Sequence, residues 1–173
     1  MKSTRVTRRT FARGLGLAGV LELSPRLFAG ASSPSTMTVE QTRATMEGYL
    51  ETMLSGGAYE TYFAGDIVVT FVGSEEKITG PDAAKRAIDA LLHEQFDAKL
   101  KIQRLTVGPG RAALEVDLTG RQIGIFAGIP ANGRYVEVLF GVFSELEDGE
   151  ITAQRIYGLT DGLYRQLVTI PKM

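Results

Sequence analysis

An α+β domain is predicted for this chain, on two observations. Helical and strand periodicities occupy separate stretches instead of alternating along the sequence, and the strand patterns of the second half follow one another across short turns. With 173 residues the chain has room for one domain and a sizeable core.

The first helix starts at Thr38, which is placed to cap it, with Gln41 three residues later completing a capping box. Met46, Leu50, Met53 and Leu54 then repeat at three- and four-residue spacings until Gly56 and Gly57 stop the run. A short second helix holds Tyr59, Tyr62 and Phe63. The β-branched, aromatic run DIVVTFV at 66–72 is the first strand, and 75–79 returns beside it as a hairpin. Gly80-Pro81-Asp82 opens a long amphipathic helix to about residue 96, with Ala84, Ile88, Leu91 and Leu92 on its buried face.

Four strands follow, at 99–107, 111–122, 135–146 and 150–157. Gly108-Pro109-Gly110, the 130–134 loop and the Glu147-Asp148-Gly149 turn separate them. Period-two alternation puts Leu114, Val116, Leu118, Gly120 and Gln122 on one face of the second of these strands, the apolar face that belongs to the core. In the last strand Ala153, Arg155 and Tyr157 share a face, opposite Thr152, Gln154 and Ile156.

The amino-terminal 31 residues read differently. A basic start, the apolar run GLGLAGVL at 14–21 and Ala29-Gly30-Ala31 follow the order of an export signal. Thr7, Arg8, Arg9, Thr10, Phe11 and Ala12 add the twin-arginine pattern, so the expectation is export of a folded protein to the periplasm or the exterior. Glu22 cuts the apolar run far short of the roughly 18 to 20 residues of a membrane span, which argues against a stable membrane anchor. Gly14, Gly16 and Gly19 spell G-x-G-x-x-G, but no strand precedes them, so the run is not a dinucleotide fingerprint. The expected boundaries are a signal at 1–31, a linker at 32–37 and a folded domain at 38–170.

Composition narrows the chemistry. Without Cys there are no disulfides, thiolate nucleophiles or Cys-based zinc sites, and a single His, His93, rules out a multi-histidine metal centre in one chain. Six basic residues and one acid lie in the first 31 positions, which leaves thirteen basic against nineteen acidic residues, a net −6, for the remainder. A domain that acidic lacks the basic footprint of a nucleic-acid binder. No cofactor and no metal are expected.

FAGIPANGRYVEV at 126–138, LEDGEITAQRIY at 146–157, LYRQL at 163–167 and ITGPDAAKRAIDALL at 78–92 together resemble the SnoaL-like polyketide cyclase and ester cyclase family, of the nuclear-transport-factor-2-like superfamily. The resemblance implies a cone-shaped barrel, a strongly bent, mostly antiparallel sheet wrapped over the amino-terminal helices, around an apolar pocket. It also implies that Ala153, Arg155, Tyr157 and Leu159 face that pocket, and that the outer face of the sheet pairs with a second copy as a homodimer. In the family's characterised cyclases an Asp acts as general acid and base without a cofactor. Leu159 stands where the family commonly has that Asp, and Gln122 where it commonly has His. Leucine cannot transfer a proton, and a glutamine amide orients a carbonyl but is no base near neutral pH.

Asp161, two residues beyond Leu159, is the remaining candidate for the catalytic carboxylate if the strand continues; a cap on the closing helix is its other role. Arg155 and Tyr157 are candidates for holding an anionic or carbonyl-bearing ligand, and Arg155 is equally suited to an internal ion pair with Glu137 or Asp161. Gln122 and Leu159 complete the expected substrate contacts. The expected ligand is a small apolar, carbonyl-bearing or polyketide-like compound. Two functions follow: a cofactor-independent cyclase or isomerase using Asp161, or an exported binding protein that has lost the family's acid–base pair.

Overall fold

A computed structural model describes residues 36–74 and 77–168. The expected signal at 1–31 lies outside the described residues. Met37, the last residue of the expected linker, is buried in the core.

Helix α1 spans Val39–Leu54 behind the expected capping box. Gln41 N donates to Thr38 Oγ1 at 3.2 Å and Thr38 N donates to Gln41 Oε1 at 2.8 Å, so two of the helix's orphan amides are satisfied reciprocally. Its buried stripe is Thr42, Met46, Tyr49 and Leu50. Leu54, placed on that stripe by sequence periodicity, is exposed at the last position of the helix. A 3-10 turn, Tyr59–Tyr62, leads into β1 (Phe63–Phe71), and β2 (Lys77–Thr79) returns antiparallel to it. Helix α2 (Pro81–Asp89), with Pro at its first position, widens into a π-helical stretch, Ala90–Gln95, that delivers the chain directly to β3.

Strands β3 (Phe96–Gly108), β4 (Arg111–Gln122), β5 (Tyr135–Glu147) and β6 (Glu150–Tyr157) form an antiparallel meander. The six-stranded sheet has the order β2-β1-β6-β5-β4-β3, with β1 parallel to β6, so it is a curled, unclosed mixed sheet. Asp148 and Gly149, both at positive φ (49° and 87°), make the two-residue turn between β5 and β6, the conformation an Asp-Gly hairpin favours.

Burial alternates strictly along β4 and β5, and the inward stripes Leu114, Val116, Leu118 and Val138, Phe140, Val142 join one buried core with residues of α1, α2 and α3. On β6 a register shift between Glu145 and Leu146 of its partner changes the phase, so that Ile151, Gln154 and Ile156 point inward. Helix α3 (Leu159–Val168) closes the domain and lies on β5. It begins at Leu159, two residues after the last residue of β6, because Gly158 between them, at φ 79°, takes the left-handed conformation that breaks the strand. Beyond Gly141, β5 has no β6 partner, and Gln166 fills that edge: Glu137 N donates to its Oε1 at 3.0 Å and its Nε2 donates to Glu137 O at 2.6 Å.

The link between β4 and β5 is fastened to the end of the π-helical stretch. Ile123 N and Gly124 N both donate to Gln95 O, at 2.9 and 3.1 Å. A Cβ on Gly124 would lie 2.2 Å from Glu94 O, a backbone atom that cannot retreat alone. Gly124→Ala is therefore expected to destabilise the domain by about 1–3 kcal/mol, as other overpacked sites do, measured as a fall in the urea midpoint.

Candidate ligand cavity

The concave face of the sheet and the helices that cover it do not meet completely, and a cavity of about 50 Å³ remains between them. Its walls are Leu100 and Ile102 of β3, Leu114 and Val116 of β4, and Phe140 and Val142 of β5. Leu50 and Met53 of α1, Leu91 and Leu92 of the π-helical stretch and Leu159 of α3 close it. Two lining residues carry polar side-chain atoms, Tyr49 and Gln154.

Tyr49 comes inward because it shares the buried stripe of α1 with Met46 and Leu50. Its ring is held edge-to-face by Tyr59, at 5.9 Å between centroids, and by Tyr62 at 6.4 Å. Burial pushes its hydroxyl up to about 12, against a smaller opposing effect of the hydrogen bond with Gln154. Gln154 is itself buried, and its Nε2 donates to Ser144 Oγ, its cross-strand partner, at 3.3 Å. Ser144, Gln154 and Tyr49 thus form one polar line leading to an otherwise apolar chamber.

A second polar cluster supports the chamber from behind. Tyr59 Oη donates to Asp89 Oδ1 at 2.8 Å, and Lys85 Nζ donates to Asp89 Oδ2 at 2.7 Å while lying 4.4 Å over the Tyr59 ring. This pins the 3-10 turn to α2. Burial and the Asp89 carboxylate raise the Tyr59 hydroxyl. Burial alone would raise Asp89, but its hydrogen bonds with Lys85 and Tyr59 outweigh that and hold it below its usual value.

Of the residues that the sequence places at the site, Leu159 lines the cavity, as the first residue of α3 and not as a strand residue. Arg155 and Tyr157 do not. Both are exposed on the outer face of the sheet, where Arg155 pairs with Glu145 and Tyr157 packs edge-to-face on Phe143 at 5.4 Å. The two alternating sets of β6 are as expected, but the inward one is Gln154 and Ile156, the reverse of the expected assignment. The ion pair of Arg155 is likewise with Glu145, not with Glu137 or Asp161.

Asp161 is exposed in the first turn of α3, with its carboxylate beside Gly73 of the turn after β1, and it lines no wall of the cavity. The expectation that it shares a face with Leu159 fails because the strand ends at Tyr157. The capping role fails in its detail too: the helix starts two residues earlier, and Asp161 sits inside the first turn, where a carboxylate favours the helix dipole.

Gln122 is almost fully buried but stands apart from the cavity lining. Its Nε2 donates to Gly124 O and Ile129 O, both at 3.0 Å, so it ties down the loop that grips the π-helical stretch. Its Oε1 is buried without a partner among the described residues. His93 and Asp66 are both exposed.

The model of the SnoaL-like polyketide cyclase family matches residues 45–167, most of the chain. The chain belongs to the SnoaL-like polyketide cyclase family. Its fold is shared with an assigned SnoaL-like polyketide cyclase from Jannaschia sp. CCS1, at 20% identity and a TM-score of 0.65, over 81% of this chain and 99% of that one. TsrD from Streptomyces laurentii is similar over 74% of this chain and 98% of its own, at 24% identity and a TM-score of 0.61. An LEH-like epoxide hydrolase from M. tuberculosis is similar over 75% of this chain and 91% of its own, at 16% identity and a TM-score of 0.56. Comparison with curated protein sequences gives no match. For this SnoaL-like chain these likenesses establish the fold.

Tyr49 and Gln154 escape a reading of the sequence for chemistry. Tyr49 lies one position before Leu50 in the helical repeat, and that adjacency is the signal that brings it inward. Gln154 alternates with Ile156, and the apolar neighbour marks the inward set better than the charged Arg155 does.

The raised hydroxyl has a consequence for stability. A group whose pKa is higher folded than unfolded contributes stability that is intact below the unfolded value and lost as pH rises through the folded one. For Tyr49 that window opens near its ordinary 10.0 and runs to about 12. The urea midpoint is expected to fall across this range, and to fall less in Tyr49→Phe than in the parent protein.

Proposed function

We propose that this domain binds a small, neutral, largely apolar molecule in the cavity between sheet and helices, and that it does so without acid–base catalysis on it. The observation that carries this reading is the chemistry of the lining. A general acid or base works best with a pKa near the working pH. Among the described lining residues Tyr49 is the one with an ionisable side chain, and its hydroxyl is held up to about 12. Asp161, the carboxylate that a relocated cyclase site would need, lies outside the cavity. The reading therefore favours the binding protein over the cyclase or isomerase.

Size supports a small ligand. Pockets for drug-sized molecules run to roughly 300–1,000 Å³, whereas this cavity is about 50 Å³. A ring compound enters by displacing side chains, and Met53 is the most adaptable of those that close the chamber.

Titration of the full chain, methyl-labelled at Leu and Ile, with cyclopentanone tests this reading by NMR. The expected result is saturable shifts at Leu91, Ile102, Ile156 and Leu159, with Leu139 on the outer face unmoved. Leu114→Phe, which fills the chamber, is expected to weaken binding at least about tenfold, whereas Arg155→Met leaves it unchanged. Shifts confined to the outer face, or none, would contradict the proposal.

A further inference from the structure

Resting on that reading of the cavity, we infer that Tyr49 orients the ligand, its hydroxyl donating a hydrogen bond to the single acceptor atom of a neutral molecule such as a ketone, aldehyde or lactone. Gln154 orders the polar line that ends at the cavity. Gln154 Nε2 donates to Ser144 Oγ, which sets that amide group toward the Ser144 side. Tyr49 reaches the same cavity wall from the buried stripe of α1, beside Gln154. The amide nitrogen has two hydrogens, one for each neighbour. With one amide hydrogen on Ser144 the second is available to Tyr49 Oη, whose own hydrogen has no acceptor among the described residues.

A hydroxyl hydrogen left unmade in an apolar chamber carries the desolvation cost of an unpaired donor. A carbonyl oxygen placed against it removes that cost, and the surrounding Leu50, Ile102, Val116 and Ile156 take the rest of the molecule. Burial keeps the phenol protonated throughout the physiological range, so the group is a donor and not an anion. A carboxylate ligand would meet one donor and no cation among the described lining residues, and burying an unpaired charge is far costlier than burying a ketone. A plain hydrocarbon would leave the donor unmatched. The site therefore selects neutral acceptors of one hydrogen bond.

Cyclopentanone and methylenecyclopentane, alike in shape and differing in C=O against C=CH2, provide the test in the full chain. In Tyr49→Phe the affinity for cyclopentanone relative to methylenecyclopentane is expected to fall at least about fivefold. The carbonyl stretch of cyclopentanone bound to the parent protein is expected at lower frequency than in hydrocarbon solution, a shift absent from the variant. Cyclopentanecarboxylate at neutral pH should compete for neither. An equal change in both affinities on removing the hydroxyl would overturn the orienting role and leave the binding cavity standing. So would an unshifted stretch in the parent protein, a measurement that does not depend on the variant folding. Binding of neither compound to the parent protein would overturn both readings.

Discussion

The structure depends on covering one face of a curled sheet. Strands β4, β5 and β6 each send an apolar stripe inward, and these stripes are buried only because α1, α2 and α3 lie across them. Each large side chain so buried contributes roughly 1.5–3 kcal/mol relative to exposure, so the coverage fixes the curl and the order of the elements. The cavity is the part of the concave face that the helices do not fill. Its chemistry is that of the stripes around it, which is why it is almost wholly apolar.

That constraint separates polar residues into those that brace the fold and those that line the cavity. Gln122 is buried away from the cavity and holds the β4–β5 loop against the π-helical stretch that supplies Leu91 and Leu92. Asp89, Lys85 and Tyr59 secure the other side of α2. Arg155, Glu145, Phe143 and Tyr157 occupy the convex face. At the cavity itself are Gln154 and Tyr49, with Ser144 behind Gln154, a line of neutral groups that on the proposed reading orients a molecule without exchanging protons with it.

Much of the fold was legible in the sequence. The Thr38–Gln41 capping box, the buried Ala84, Ile88, Leu91 and Leu92, the inward stripe of β4 and the Asp148-Gly149 turn all follow from local periodicity and turn chemistry, and all stand in the structure. The site was much less so. Period two divides β6 into two sets without saying which is inward, and the register shift at Glu145/Leu146 that decides it is a property of the pairing with β5. Asp161 was placed by extending a strand that Gly158 ends. Tyr49 was hidden because a tyrosine in a helical stripe looks like packing until the cavity beside it is seen.

The interior of this domain holds an apolar chamber bounded by Tyr49, with Arg155 and Tyr157 on the opposite side of the sheet. A crystal of the full chain pressurised with xenon tests it most directly, since xenon enters dry apolar cavities. The account predicts a xenon atom among Leu91, Ile102, Val116 and Ile156, within the cavity that Tyr49 bounds. An interior without xenon, or a chamber into which Arg155 projects, would contradict it.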